Sequence, residues 1–281
     1  MLKQRVVTAV VMLIILLPAL FYRAALPFLL IAMALICVAA WEWARLNGYG
    51  HAHSILSGLF CLVLCMASWL MGMLEQSLAL LWIAAGACWT LAGAWVLYRG
   101  VGAWASHSRP IRLLAGLLAL WLAWLAVAQA KSIGVNFLLS ILLLVWVADI
   151  FAYFAGRAWG GRFSRGKLAP SISPGKSWEG VWGGMIGVII LAFAWQMADR
   201  VFATAVPSMF SHIGRHGAWA LLASSLFLSA MSVLGDLFES LVKRSAGVKD
   251  SSGLLPGHGG VLDRIDALLP ALPLSMMLYS V

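Results

Sequence analysis

The sequence predicts an all-α, polytopic membrane protein with about nine transmembrane helices. Three observations carry that reading. Apolar residues make up 63% of the chain and charged residues 10%, whereas soluble domains hold about 45–50% apolar residues. Mean hydropathy is correspondingly high at +0.96, and the apolar residues fall in runs near the ~20 residues that a spanning helix needs. Basic residues, finally, alternate in density from one connecting segment to the next.

The first apolar run, 6–21, follows Lys3 and Arg5 and so imitates a secretory signal. More runs follow at once, which favours an uncleaved first helix. The next are 26–44, 55–74, 78–98, 113–130, 137–155, 181–197 and 219–234. A ninth, 265–281, is short and contains Pro270 and Pro273, so it either spans or forms a re-entrant or interfacial segment. With a cytoplasmic N-terminus, the inner segments collect Lys3, Arg5, Arg45, Arg99, Arg109 and Arg112 from the first half. From the second half they collect Arg157, Arg162, Arg165, Lys167 and Lys176, then Lys243, Arg244, Lys249 and Arg264. Of the 19 basic residues only Arg23, Lys131, Arg200 and Arg215 fall outside. This is the positive-inside pattern of a plasma-membrane protein with an inner N-terminus.

Residues 1–281 form one integral membrane domain with no basic soluble portion, which excludes nucleic acid as a partner of the net charge of +9. The first part, to about residue 130, reads as scaffold and dimer surface, with Trp41, Trp43, Trp69, Trp82 and Trp95 near span ends as an interfacial belt. Glu42 beside Arg45 reads as a juxtamembrane pair. Cys37, Cys61, Cys65 and Cys88 have no metal-site spacing and read as small apolar side chains. The catalytic part is placed in 137–281, where acids and irregular glycine-rich backbone concentrate.

Asp149 lies inside the sixth run, where a carboxylate costs about 2.5–3.5 kcal/mol on the insertion scale and must face protein, water or a cation. Either an interhelical bond or a site role satisfies that demand. The loop segment 161–167 imitates a phosphate-binding loop, but Leu168 stands where Ser or Thr is required and no strand precedes it. In the segment 173–180, Ser173, Lys176 and Ser177 stand ahead of a helix start, where free amides and the helix dipole favour an anion; a polar helix cap explains Ser177 and Glu179 equally well.

The polar run 240–266, with Asp236 and Glu239 just before it, is the main anomaly in so apolar a chain. Asp236, Glu239 and Ser240 share helical spacing and are followed one turn on by Lys243 and Arg244. A Gly/Ser/Pro turn with Lys249 and Asp250 leads to His258, Gly259 and Gly260, then to Asp263, Arg264 and Asp266. Asp263 and Asp266 share a face at i, i+3 spacing. Three carboxylates with lysines and glycine amides suit Mg²⁺ and phosphate groups; a surface salt-bridge network leaves the dense glycine and proline unexplained. His258 either meets phosphate or holds the turn.

The spacing Ser240-x-x-Lys243-Arg244, Lys249-Asp250, Pro256, His258-Gly259-Gly260 and Asp263-Arg264-x-Asp266 resembles the signature of the phosphatidate cytidylyltransferases, or CDP-diacylglycerol synthases. Segments 149–157 and 173–180 are also similar to that family's pattern, so the resemblance spans at least the C-terminal half. It implies transfer of CMP from CTP to phosphatidic acid with release of pyrophosphate, in a multi-span homodimer of the bacterial inner membrane whose site faces the cytoplasm. It further implies Asp236 and Asp263 as metal ligands with Asp266 as a further carboxylate, for Mg²⁺ and a second cation such as K⁺. Lys243 and Lys249 would neutralise phosphate charge, while Asp149, Ser173, Lys176, Ser177, Ser240, Arg244, Asp250, His258, Gly259, Gly260 and Arg264 would meet substrate. A CTP-dependent lipid kinase would release CDP in place of pyrophosphate. A secondary transporter would place acids near the midplane in both halves, which this sequence does not do, and the helix pattern of CDP-alcohol phosphotransferases is absent.

Overall fold

The computed structural model describes residues 2–164 and 166–280. Arg165, the last residue of the 265–281 run and Met1 therefore lie outside the described residues. The architecture is a helical bundle: α1 (Leu2–Phe21), α2 (Leu26–Leu46), α3 (His51–Leu70), α4 (Ala79–Ala87) and α5 (Ala94–Ser106), then α6 (Arg109–Ile133) and α7 (Val135–Trp159). A two-stranded antiparallel hairpin follows, β1 (Lys167–Ala169) with β2 (Ser173–Ser177). The chain closes with α8 (Trp178–Val201), α9 (Met209–Ile213), α10 (Ala218–Ser245), α11 (Leu262–Ile265) and α12 (Leu268–Ser280).

Among the described residues seven helices are long and apolar enough to cross a bilayer, α4 and α5 counting as one through the π-helical turn Cys88–Gly93. The expectation of about nine is matched only in part: seven helices have spanning length among the described residues, and the first and last runs form shorter apolar helices. In α1 the apolar stretch is Val6–Phe21. α12 has 13 residues, about 20 Å at 1.5 Å per residue, short of a hydrocarbon core of about 30 Å. It is sheathed by α4, α6, α7 and α10, with Leu269 to Met276 buried. Protein, not lipid, surrounds it, and its prolines sit where neighbouring helices can meet the backbone they leave unpaired.

Small residues set the closest packing, as expected where lipid competes for apolar surface. Gly183, Gly184 and Gly187 of α8 face α7 so closely that a Cβ at Gly184 would lie 2.8 Å from the Ala148 carbonyl oxygen. Gly116 receives the indole of Trp43. Gly235 does for α10 what no larger residue can: its Cβ would lie 2.5 Å from the Asp266 carbonyl oxygen, so this approach brings Asp266 beside Asp236. Trp43 and Trp82 are not belt residues. Both are buried in the core, donating from Nε1 to the Arg112 carbonyl at 2.9 Å and to Gln129 Oε1 at 3.1 Å. The cysteine thiols are unpaired, with Cys61 and Cys65 buried.

Long-range bonds sort the connecting segments into two ends. At one, Thr8 bonds the Pro256 carbonyl, Trp43 that of Arg112, and Arg244 that of Ile172. At the other, Lys131 bonds the carbonyls of Leu20 and Tyr22, and Asn136 bonds Asp199 and the Val206 carbonyl. The grouping is the one the basic residues follow.

Candidate active site

Two loops at the first end are shaped by buried carboxylates. Ser177 caps α8, its Oγ accepting from the Gly180 amide at 3.2 Å. Glu179, one turn in and buried, gathers the amides of Gly161, Phe163 and Ser164 at 3.1, 3.0 and 2.7 Å, with the Ser164 hydroxyl at 2.8 Å. The 161–164 segment is thus a loop wound around a carboxylate. The hairpin, which the sequence reading did not foresee, runs from there into α8 and aims Lys176 at Asp236, Nζ to Oδ2 2.5 Å.

The second loop is built around Glu42. This side chain is fully buried and forms no pair with Arg45, whose guanidinium lies instead over the Trp41 ring. Its Oε1 accepts from the Ser252 hydroxyl at 2.5 Å and the Val261 amide at 3.0 Å. Its Oε2 accepts from the Leu262 amide at 2.7 Å and the Ser251 hydroxyl at 3.1 Å. The juxtamembrane reading of Glu42 is corrected: α2, in the first half of the chain, supplies the anchor of the polar turn. A carboxylate in an apolar run carries the same insertion cost that singled out Asp149, and Arg45, one turn away, masked that signal.

Asp263 completes the turn. Its Oδ2 accepts from the amides of Ser251 at 2.9 Å and Gly260 at 2.7 Å and from the Ser251 hydroxyl at 2.8 Å, while Oδ1 meets Lys243 at 2.5 Å. Burial opposes ionisation of this group, but the Lys243 ammonium and the two amides outweigh it and hold the carboxyl below its ordinary value. Gly260 has no room for a side chain between Ser251 and Glu42, and Gly259 sits at φ 85° beside the Leu255–Gly259 bridge. Lys243 also pairs with Glu239, which is buried and whose two oxygens otherwise lack hydrogen-bond partners.

The remaining predicted residues divide between two cavities. Asp149, Lys176, Ser177 and Asp236, with Tyr153 and Arg157, line a cavity of about 470 Å³. Lys249, Asp250, His258, Gly259 and Arg264 line a polar cavity of about 650 Å³. Ser240 meets Asp236 at 3.4 Å. Arg244 is spent on the Ile172 and Val248 carbonyls, and Ser173 stays on the hairpin, away from the cavity linings. Glu42, Glu239 and Ser251 belong to the same assembly and were not among the sequence candidates.

Carboxylate occupancy separates the acids. Among the described residues Asp149 accepts no hydrogen bond, Asp236 meets only Lys176 and Ser240, and Asp266 accepts only from the Ala267 amide, at 2.7 Å. Asp149 and Asp236 line one cavity with Lys176, and the close approach at Gly235 sets Asp266 beside Asp236. Among the described residues no three His, Cys, Asp or Glu side chains converge on a single point. That donor set fits Mg²⁺, which uses one or two carboxylates and fills its remaining positions with water and phosphate oxygens.

Fold and site together define a polytopic membrane protein with an acidic, lysine-flanked site at one end of its bundle. The chain belongs to the Cytidylyltransferase family, whose model matches residues 3–281. It is 40% identical over 281 residues to a protein of Pseudomonas aeruginosa named phosphatidate cytidylyltransferase, covering 97% of this chain and 95% of the relative. Proteins of the same name from Haemophilus influenzae and Brucella melitensis are 38% and 32% identical, covering 99% and 96% of this chain and 99% and 90% of their own lengths.

Proposed function

We propose that the chain transfers the cytidylyl group of CTP to phosphatidate, giving CDP-diacylglycerol and pyrophosphate. A phosphate oxygen of phosphatidate bonds to the α-phosphorus of CTP, and the bond from that phosphorus to the oxygen shared with the β-phosphate breaks. The observation that carries this reading is the set of under-bonded carboxylates, Asp149, Asp236 and Asp266, with Lys176 paired to Asp236 and lining one cavity with it and Asp149. Two anionic substrates repel each other, so the site must supply positive charge and alignment rather than a covalent nucleophile.

Asp236 and Asp266 have uncommitted oxygens for Mg²⁺, with Asp263 able to join by releasing Lys243; a second cation such as K⁺ would lie beside it. The metal supplies neutralisation of charge on the phosphates. Lys176, held against Asp236 at 2.5 Å, lines the same cavity and would meet a substrate phosphate there. Lys243, paired with Glu239 and Asp263, supplies a cation beside these carboxylates. The polar end is assigned to the cytoplasmic side of the bacterial inner membrane, where CTP is available. The alternation of basic residues and the matching grouping of loops into two ends support this.

Purified protein given α-phosphate-labelled CTP, phosphatidate and Mg²⁺ is expected to form labelled CDP-diacylglycerol and release pyrophosphate. Folded protein that forms neither, or that releases CDP with a phosphorylated lipid, overturns the proposal.

A further inference from the structure

A third cavity, of about 560 Å³, lies between α1, α2, α6, α7 and the α11–α12 segment. Its lining is apolar except at one place, where His258 and Arg264 enter it. The same two residues line the polar cavity of the signature turn, so they stand where a polar chamber meets a hydrocarbon-like one. Nδ1 of His258 is buried and has no hydrogen-bond partner among the described residues. Arg264 is exposed, makes no ion pair among the described residues, and is an electrostatic neighbour of Asp149.

The outer wall is α1, which presents Ala9, Met12, Leu16 and Leu20 at helical spacing to the cavity. It is fastened at both ends. Thr8 Oγ1 donates to the Pro256 carbonyl at 3.0 Å, and Lys131 Nζ meets the Leu20 carbonyl at 2.5 Å and that of Tyr22 at 3.4 Å. A groove facing bulk lipid has no need of such fastening, nor of two cationic or hydrogen-bonding side chains at one mouth.

We infer that this slot takes an acyl chain of the phosphatidate substrate, with the lipid phosphate held at its mouth by His258 and Arg264. The inference rests on the function proposed above and adds where the lipid lies: behind α1, with the Asp149–Asp236 cavity left for the nucleotide. Apolar walls with a few placed polar groups are the usual make-up of such a site. The Arg264 guanidinium offers the fixed donor fork that suits phosphate.

Phosphatidate bearing a diazirine in its acyl chain tests the slot without turnover. Irradiation with the full-length protein in detergent is expected to label α1 and α2 near Met12, Leu16 and Ala32, with protection by unlabelled phosphatidate and not by phosphatidylcholine. Labelling elsewhere, or equal protection by both lipids, overturns the slot. Ala9→Trp and Ala32→Phe narrow it from two walls. Each methylene kept out weakens binding about fourfold, so exclusion of two raises KM for long-chain phosphatidate about fifteenfold, with KM for CTP unchanged. An unaltered chain-length profile in folded, active variants also overturns it. Wild-type protein that makes no CDP-diacylglycerol while labelling as expected sinks the proposed function and leaves a phosphatidate-binding slot.

Discussion

Asp199, at one end of the bundle, accepts hydrogen bonds from Asn136, the Ser208 amide and the hydroxyls of Ser208 and Ser211, at 2.6 to 2.9 Å. Asp236, at the other end, meets one lysine and, at 3.4 Å, one serine. Asp199 is saturated and has nothing left to offer a ligand. Within the active end the same contrast recurs, since Glu42, Glu179 and Asp263 each gather four donors, while Asp149 accepts none among the described residues, Asp266 one amide, and Asp236 one lysine and one serine. Carboxylates near a membrane are expensive, so the saturated ones are explained by the loops they hold. The unsaturated ones are explained only by something they bind.

The largest effect expected from this contrast is at Asp236. Asp236→Asn keeps the shape and removes the charge, and should lower turnover at least about a hundredfold, the scale of losing one key electrostatic group. Amide exchange over 251–262 should stay at the wild-type rate. Wild-type turnover would remove Asp236 from the site.

Glu42→Gln should act by another route. Each Glu42 oxygen serves one amide and one hydroxyl, and an amide group in its place turns a donor toward a donor. One buried amide is then orphaned, at a cost of about 1–3 kcal/mol, so exchange at Val261 or Leu262 should speed about ten- to a hundredfold. Turnover should fall with it. Turnover lost with exchange unchanged would mean that Glu42 touches the chemistry itself. Glu179→Gln, on the 161–164 loop alone, should loosen only that loop and lower turnover about tenfold or less, since the three under-bonded carboxylates are held by other elements.

Much of this was legible beforehand. Long apolar runs mark helices because an unpaired backbone is intolerable in lipid, and most of the run boundaries fall within a few residues of the helices observed. The polar run 240–266 stood out because acids and glycines are costly there unless used. What escaped has physical causes. Glu42 is joined to its partners across more than two hundred residues, a contact that no local spacing encodes. The hairpin is short and lacks alternation, with Pro174 and Gly175 inside β2. Gly259 and Gly260 looked like phosphate-cradling glycines, and the geometry gives each a prior duty: a turn at φ 85° for one, clearance beside Glu42 for the other.

The smallest expected effect, and the sharpest control, is at Asp199. Asp199→Asn keeps one carbonyl acceptor for the Ser208 and Ser211 donors but places an amide group near Asn136 Nδ2, now donor against donor. Loss of a bond of this kind costs about 0.5–1.5 kcal/mol, enough to lower the thermal midpoint by a few degrees in a chain this size. KM for CTP and for phosphatidate should not move, because the Asp199 network ties α7, α8 and α9 together at the end away from the site. A midpoint shift with unchanged KM values places this carboxylate in the fold alone. If KM for either substrate rises instead, the two ends are coupled through α7 or α8, the helices that also carry Asp149 and Glu179, and saturation would no longer separate the carboxylates that hold the fold from those that bind.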